Sequence, residues 1–496
     1  VVTTAGRQAS AANRIAKLGP APSTLSEALA SPESAHWQAA VDAELARLAD
    51  VWEPTTIGKG IKPIGSRWVF QRIPTPSGIR YRARVVAKGS DLVTDGGEGE
   101  GGEGGAKVAA LRFLLAYAQH HGLHITHIRV EDACLAVPCE PVVMAIPSGI
   151  KLGGNAVILH KTLYGLKTAY AAELRVVRDA LAALAMYPLD AEPCLLVQRC
   201  ISPGEPVALP IAMTYPGGVV VAGPASIGDE VLDSLVAAGL DAKRGPDDLI
   251  YGITAQRIDD ILHLSQPQYV ARVVRRFRSV FRGVDAPEPT PELRKSLKAF
   301  SGSVGWLART THLPFSKWAH TLARNAHRSL DGEEWEDAWE DAWYALDQLK
   351  DPVEQSLTLV LRPHRDEASQ LSASATHGNG RLQVVVFYED MAIEWFVRDT
   401  RGNHDREGHT YRAAQLAAEA VVRWSRVVRE IEPLLSVSVL AHVDFEDVRA
   451  AEMKRVLDLL RSTGADEADV LPFPDEDEDG HQWCPCCCPV KAGNGE

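Results

Sequence analysis

Tyr81–Gly89 reads YRARVVAKG. Arg82, Arg84 and Lys88 fall on one parity and Tyr81, Ala83, Val85 and Ala87 on the other, the period-2 pattern of a strand with one buried face. Working back to Ile64, the alternation predicts two strands joined by a turn at Pro76-Ser77-Gly78. Further upstream, Trp37, Val41, Leu45 and Leu48 are spaced for one amphipathic helix over Ser26–Leu48, preceded by a loose arm over 1–22. Downstream, DGGEGEGGEGG (Asp95–Gly105) is a flexible, acidic low-complexity insert. Then come a helix over Val108–Ala118, strands over Ile125–Val130 and Val142–Ile146, and a helix over Ala172–Leu184. Strands over Val207–Met213 and Val219–Ala222 flank the turn Tyr215-Pro216-Gly217-Gly218. Tyr269–Phe281 reads as a basic helix, Leu297–His327 as paired helices and Trp335–Leu349 as an acidic one. From Leu357 the texture changes. Strands over Leu357–Leu361, Leu382–Tyr388 and Met391–Val397, a helix over Tyr411–Glu430 and a strand over Ser436–Ala441 fit a small α/β domain. The fold class is mixed α/β, in several domains.

Composition narrows the function. The 496 residues are 46% hydrophobic and 24% charged, ordinary for a globular chain. A net charge of −13 makes the chain a poor non-specific polyanion binder, so any contact with RNA or DNA must use a local basic surface. No apolar run of about 18 residues and no signal pattern is present. The cysteines, half of them crowded into Cys484, Cys486, Cys487 and Cys488, do not form a secreted disulfide framework. The expected setting is intracellular, cytoplasmic or nuclear, with no membrane partner. The first residue is Val, consistent with a piece of a longer product.

Beyond periodicity, a collinear set of motifs resembles the reverse transcriptase and RNase H region of copia-type retrotransposon polyproteins. The set comprises KPIGSRWVF (Lys62–Phe70), YRARVVAKG, LRFLLAYA (Leu111–Ala118), IPSG (Ile146–Gly149), HKTLYGLKTA (His160–Ala169), EPCLL (Glu192–Leu196), LHLSQPQYVARVVRRF (Leu262–Phe277) and GSVGWLARTT (Gly302–Thr311). AIEW (Ala392–Trp395), TYRAAQLAAEA (Thr410–Ala420) and STGADEADVL (Ser462–Leu471) are similar to the RNase H part. The resemblance implies a right-hand polymerase followed by an RNase H-like α/β domain. Fingers and palm would occupy 23–260, interrupted by the insert at 95–105. Thumb and connection helices would occupy 261–350, the RNase H-like domain 351–463, and an acidic Cys-rich tail 464–496.

The resemblance also implies where the chemistry should lie. Such polymerases use two magnesium ions, held by oxygen ligands. The family supplies these from a strand reading Asp-Val-x-x-Ala-Phe-Leu and a turn reading Tyr-x-Asp-Asp. Here the strand reads RVEDACL (Arg129–Leu135) and the turn TYPGGVVVAG (Thr214–Gly223), so the Asp positions fall on Arg129, Gly217 and Gly218. At about 4 Å and an effective dielectric near 20, a charge pair is worth about 4 kcal/mol. A guanidinium beside a divalent ion turns that attraction into repulsion. Glu131 would lie about 7 Å along the same strand face and Asp132 on the opposite face, neither with a partner on the turn. In the RNase H-like part, LSASATHG (Leu371–Gly378) holds no acid, the helix Glu positions fall on Tyr411 and Ala413, and Asp444 stands alone. No metal or cofactor is expected.

Two basic runs lack acids: Ser66–Gly89, with Arg67, Arg72, Arg80, Arg82, Arg84 and Lys88, and Tyr269–Gly283, with Arg272, Arg275, Arg276, Arg278 and Arg282. They read either as a surface that grips RNA or DNA phosphates, with Arg82, Arg84, Lys88, Arg272, Arg275 and Arg276 as contacts, or as solvated faces balanced by acidic helices. His120, His124 and His127 read as one exposed helix face rather than a metal site. His481, Cys484 and Cys487 have zinc-like spacing but no second pair. The leading reading is a catalytically inactive reverse transcriptase-like pseudoenzyme. The second is a co-opted nucleic-acid-binding module, and the third an active RNA-directed DNA polymerase.

Overall fold

The computed structural model describes residues 18–19, 21–75, 78–89, 108–199, 208–246, 248–258, 260–326, 328, 330–350, 359–361, 369–378, 381–388, 391–399, 406–431, 437–443, 458 and 467–472. The insert at 95–105, nearly all of the arm, the turn residues Pro76 and Ser77, Asp444 and the Cys-rich end of the tail lie outside these. Helix α1 (Leu25–Ala30) is capped by the Thr24 hydroxyl, which accepts from Glu27 N at 3.1 Å, and α2 (Ser34–Arg47) follows. The single helix expected over Ser26–Leu48 is therefore two. Pro32 disfavours helical backbone at the preceding Ser31, which is extended at φ −78°, ψ 159°.

The order continues β1 (Trp52–Thr55), β2 (Ser66–Thr75), β3 (Gly78–Ala87), α3 (Val108–His120), β4 (His124–Glu131), β5 (Pro138–Ala145), β6 (Ala156–Lys161) and α4 (Ala169–Ala182). Next come β7 (Met186–Pro188), β8 (Leu195–Gln198), β9 (Ile211–Tyr215), β10 (Gly218–Gly223), α5 (Ile227–Ala237), β11 (Asp241–Arg244), β12 (Leu249–Ile250), β13 (Ile253–Ile258) and β14 (Ile261–Ser265). Helices α6 (Pro267–Phe277), α7 (Pro291–Thr310), α8 (Ser316–Asn325) and α9 (Glu333–Gln348) precede β15 (Leu359–Leu361), β16 (Ser369–Gly378), β17 (Arg381–Tyr388) and β18 (Met391–Asp399). The last elements are α10 (Arg406–Ile431), β19 (Val437–Val443) and β20 (Glu467–Pro472). Strand β20 falls inside the stretch read from sequence as tail.

The chain forms two compact units. The first comprises Val1–Gly105, Val130–Leu181 and Leu235–Ala242, and the second Ala106–Arg129, Ala182–Ser234 and Lys243–Glu496. In the first, β2 and β3 pair antiparallel with Trp68 opposite Val85 and Phe70 opposite Ala83. These apolar residues are buried with Trp37, Leu159 and Leu163, while Arg82 and Arg84 keep the other parity, as the alternation predicts. Beside this ribbon is a three-stranded sheet in the order β1-β6-β5.

The second unit carries the sheet ordered β11-β4-β10-β9-β8-β7, in which strands β9 and β10 are fully buried while their turn, Pro216-Gly217, is exposed. Helix α3 is apolar on every side, and every residue from Ala109 to Gln119 is buried. Its arginine, Arg112, meets no carboxylate among the described residues. It donates to the carbonyls of Ile393 at 2.7 Å, Thr310 at 2.9 Å and Arg309, and lies 3.7 Å from the centre of the Trp395 ring. Helices α6, α7 and α9 close around Phe277, Phe281, Phe300, Trp335 and Trp339, and the indole nitrogens donate to Pro287 O and Gly283 O. The final sheet runs β18-β17-β16-β19-β20, antiparallel on the β18 side and parallel from β16 to β20, with α10 packed against β16 and β19. No helix among the described residues is long and apolar enough to cross a membrane.

His312, just after α7, is 2% exposed, with Nδ1 2.6 Å from the Thr311 hydroxyl. Burial pushes its pKa down to about 4. The unfolded chain, titrating near 6.5, thus binds the proton more readily, so the contribution is complete above about pH 6.5 and is lost as pH falls through about 4. The full loss is about 3 kcal/mol on that linkage scale. Urea midpoints measured from pH 7 to 4 are expected to fall with that slope in the wild-type chain and to fall less steeply in His312→Asn.

Candidate functional site

Two neighbourhoods gather the residues that carry charge or chemistry. The first is the end of the β9–β10 hairpin. Gly218 pairs with Tyr215 across the two-residue turn and with Arg129 on β4. Directly opposed residues share a sheet face, so Arg129, Gly218 and Tyr215 form one cross-strand row. Pro216 fixes φ near −65° and Gly217 has φ +91°, the sign pattern of a type II turn, which calls for Gly at its third position. A Cβ at Gly218 would lie 2.5 Å from Tyr215 Oη and 2.7 Å from the Ile128 carbonyl oxygen. The Tyr215 hydroxyl is hydrogen-bonded to His127 Nε2, which holds the ring over the glycine. Arg129 is half-buried, and its Nε has no hydrogen-bond partner among the described residues. The arrangement offers one cation, a tyrosine and bare backbone.

The second neighbourhood lies in the first unit, on the polar face of β3. The strand is pressed onto the loop after β6. Ala87 N donates to Tyr164 O at 2.8 Å and Gly89 N to Gly165 O at 3.2 Å. A Cβ at Gly89 would stand 2.3 Å from Gly165 O, and one at Gly165 2.2 Å from Ala87 O. This close approach explains why AKG and LYG occur as they do in the two motifs. Arg84 spans 4.7 Å to the Tyr164 ring centre. Its Nη2 donates to Asp132 Oδ1 at 2.8 Å, Arg82 Nη2 donates to the same oxygen at 2.7 Å, and Arg47 Nε reaches Oδ2 at 3.2 Å. Glu131 takes Arg80 at 2.8 Å and Arg82 at 3.6 Å. Burial lowers the Arg82 pKa, with Arg84 beside it adding to the fall, while Asp132 opposes both. The Tyr164 hydroxyl is pushed up by burial and by the Asp132 and Glu44 charges.

Asp132 therefore does not face away from Glu131. Strand β4 ends at Glu131, and Asp132 takes φ +62°, a left-handed turn that brings both carboxylates to Arg82. The basic run over Ser66–Gly89 is likewise not unopposed, since Arg72 pairs with Glu33 and its cross-strand neighbour Tyr81 donates to Glu33 at 2.6 Å. Sequence reading missed these acids because none lies within the run.

Residues 49–282 match the family model described as reverse transcriptase (RNA-dependent DNA polymerase). This segment is reverse transcriptase-like. Similar solved structures include a foamy viral protease-reverse transcriptase dRH in complex with dsDNA, at 11% identity and TM-score 0.45, covering 88% of this chain and 69% of that one. A foamy viral protease-reverse transcriptase with dsDNA and one with an RNA/DNA hybrid match at the same identity and TM-score. They cover 88% of this chain in both cases, and 83% and 54% of those chains.

Within the reverse transcriptase-like segment, Lys88 is exposed at the end of β3, and Arg272, Arg275 and Arg276 are exposed on α6. Arg272 lies over Tyr269 and Arg276 over Phe277, at 5.0 and 4.9 Å. The strand and helix sets thus belong to different units. The three histidines do not share a helix face. His120 ends α3, His124 opens β4, and buried His127 bonds Tyr215, because the chain turns at Gly122 with φ +65°. Among the described residues no cluster of three His, Cys, Asp or Glu is placed to hold a metal ion. Cys134 is buried, which pushes its thiol up to about 12 and leaves it unreactive. Beyond the segment, Tyr411 and Ala413 lie on α10, but their side chains are outside the described residues, as are His481 and the four tail cysteines.

Because the Ile128 carbonyl is backbone, any side chain at Gly218 must displace β4 as well as Tyr215. Gly218→Ala is expected to lower stability by about 1–3 kcal/mol, the usual cost of overpacking. Chemical denaturation at neutral pH checks this, with Gly217→Ala as comparison. There the space is open and only the left-handed backbone resists.

Proposed function

We propose that residues 49–282 are the catalytically silent polymerase part of a copia-type retroelement protein. Fingers and palm extend over 23–260 and a helical thumb and connection over 261–350. An RNase H-like domain from 351 follows, extended past 463 to take in β20 (Glu467–Pro472), and an acidic tail comes after it. The observation that carries this reading is the end of the hairpin: where the resemblance places carboxylates, this chain has Arg129 opposite Gly218, with Gly217 in the adjoining turn. Hard divalent cations take oxygen ligands. A guanidinium repels them, a glycine offers no side-chain ligand, and Pro216 removes a backbone donor. The donor set does not fit a pair of magnesium ions, and no reaction step is assigned to it. The RNase H-like part is read the same way, with Tyr411 and Ala413 at its helix positions.

A nucleic-acid-binding role is favoured by α6. Its exposed Arg272, Arg275 and Arg276 make no ion pair among the described residues, so phosphates can approach them without displacing a described carboxylate. The bland alternative is a solvated face balanced by the acids of α9. The setting in this reading is intracellular, cytoplasmic or nuclear.

Primer extension with magnesium or manganese is expected to give no product, and product from the wild-type chain would refute the silent reading. The triple variant Arg129→Asp, Gly217→Asp, Gly218→Asp is also expected to stay inactive, because Tyr215 and the Ile128 carbonyl occupy the space at 218. For binding, filter retention of single-stranded RNA or DNA should weaken with salt. Changing Arg272, Arg275 and Arg276 to Gln should flatten that salt slope by about 0.7 per lost phosphate contact on a single strand. An unchanged slope supports the solvated-face reading.

A further inference from the structure

The polar face of β3 holds more hydrogen-bond donors than its carboxylates satisfy. Arg47, Arg80, Arg82 and Arg84 surround Asp132 and Glu131, and Glu44 engages Arg47 at 2.8 Å and accepts from Val85 N at 3.0 Å. Arg82 Nε and Arg84 Nε are nonetheless buried without a hydrogen-bond partner among the described residues. Asp132 is the centre of the set, meeting three of the four guanidinium groups. It does so from a left-handed backbone conformation that an L-residue adopts at a cost, although Asp tolerates it better than most.

We propose that Asp132 is an internal counter-anion that closes the β3 arginines to phosphate, an autoinhibitory contact within the first unit. Its carboxylate sits where an oxyanion would meet Arg82 and Arg84, and it makes two charge-assisted bonds of 2.7 and 2.8 Å that an incoming phosphate must displace. Glu131 restrains the outer side of the set through Arg80 and so controls Arg84 less directly. The contact does not depend on whether the hairpin row binds metal, because every residue in it lies outside that row.

The test uses the full chain and inorganic tripolyphosphate, followed by calorimetry and by thermal shift. The wild-type chain should bind only in the millimolar range or not at all. Asp132→Asn should bind at least tenfold tighter and be raised in melting temperature by tripolyphosphate. Asp132→Gly serves as a second variant, since glycine accepts the positive φ and offsets some of the stability lost with the carboxylate. Adding Arg84→Gln to either variant should abolish the gain. The proposal is overturned if a folded Asp132 variant shows no gain, if the gain survives Arg84→Gln, or if the wild-type chain already binds as tightly as the variants. Primer extension reads the polymerase question separately, so the two can fail independently.

Discussion

The Ile128 carbonyl and the Tyr215 ring leave Gly218 no room for a Cβ, and the candidate site is organised around that constraint. It fixes where the hairpin lies against β4, aligns Arg129 with the turn and seats Tyr215 on His127. Electrostatics and sterics point the same way. A buried guanidinium nitrogen without a partner disfavours a nearby cation, and the turn itself has taken a form that Pro216 and Gly217 hold. Two independent obstacles therefore stand between this hairpin and a carboxylate cage.

In the first unit the balance is struck differently. Four arginines on a partly buried face would repel one another, and the chain answers with Glu131, Asp132 and Glu44. Such networks are costly to desolvate and gain mainly when every member is engaged. Burial holds Glu44 above the ordinary carboxylate range despite its bonds to Val85 N and Arg47, which shows how dry this corner is. The arginines of β3 therefore act first as structural cations.

Much of this was legible in the sequence because it depends on short-range periodicity. The two-strand ribbon, the buried helix α3 and the turn at Pro216-Gly217 follow from parity, an all-apolar run and turn chemistry. Motif register assigned Arg129, Gly217 and Gly218 to one site, and the structure sets Gly218 opposite Arg129. What sequence reading could not supply was set by single backbone torsions. The positive φ at Asp132 brings it to the side of Glu131 that strict alternation denies it, and the turn at Gly122 scatters the three histidines over two elements. Pro32 ends α1, and the apolar spacing from Trp37 onward belongs to α2 alone. The acids that neutralise Arg72 and Arg82 come from residues 39 and at least 49 positions away, beyond any local window.

Arg112 bears on how the second unit can be divided. Among the described residues its guanidinium is hydrogen-bonded by main-chain oxygens, two at the end of α7 and one on β18. Trp395 completes the arrangement by donating from its indole to Ala308 O. A recombinant fragment cut before β15 would strip away Ile393 and Trp395 together, removing one of the three carbonyls and the ring that cover the guanidinium and baring apolar surface to water. A truncation that keeps these contacts must carry β18 along.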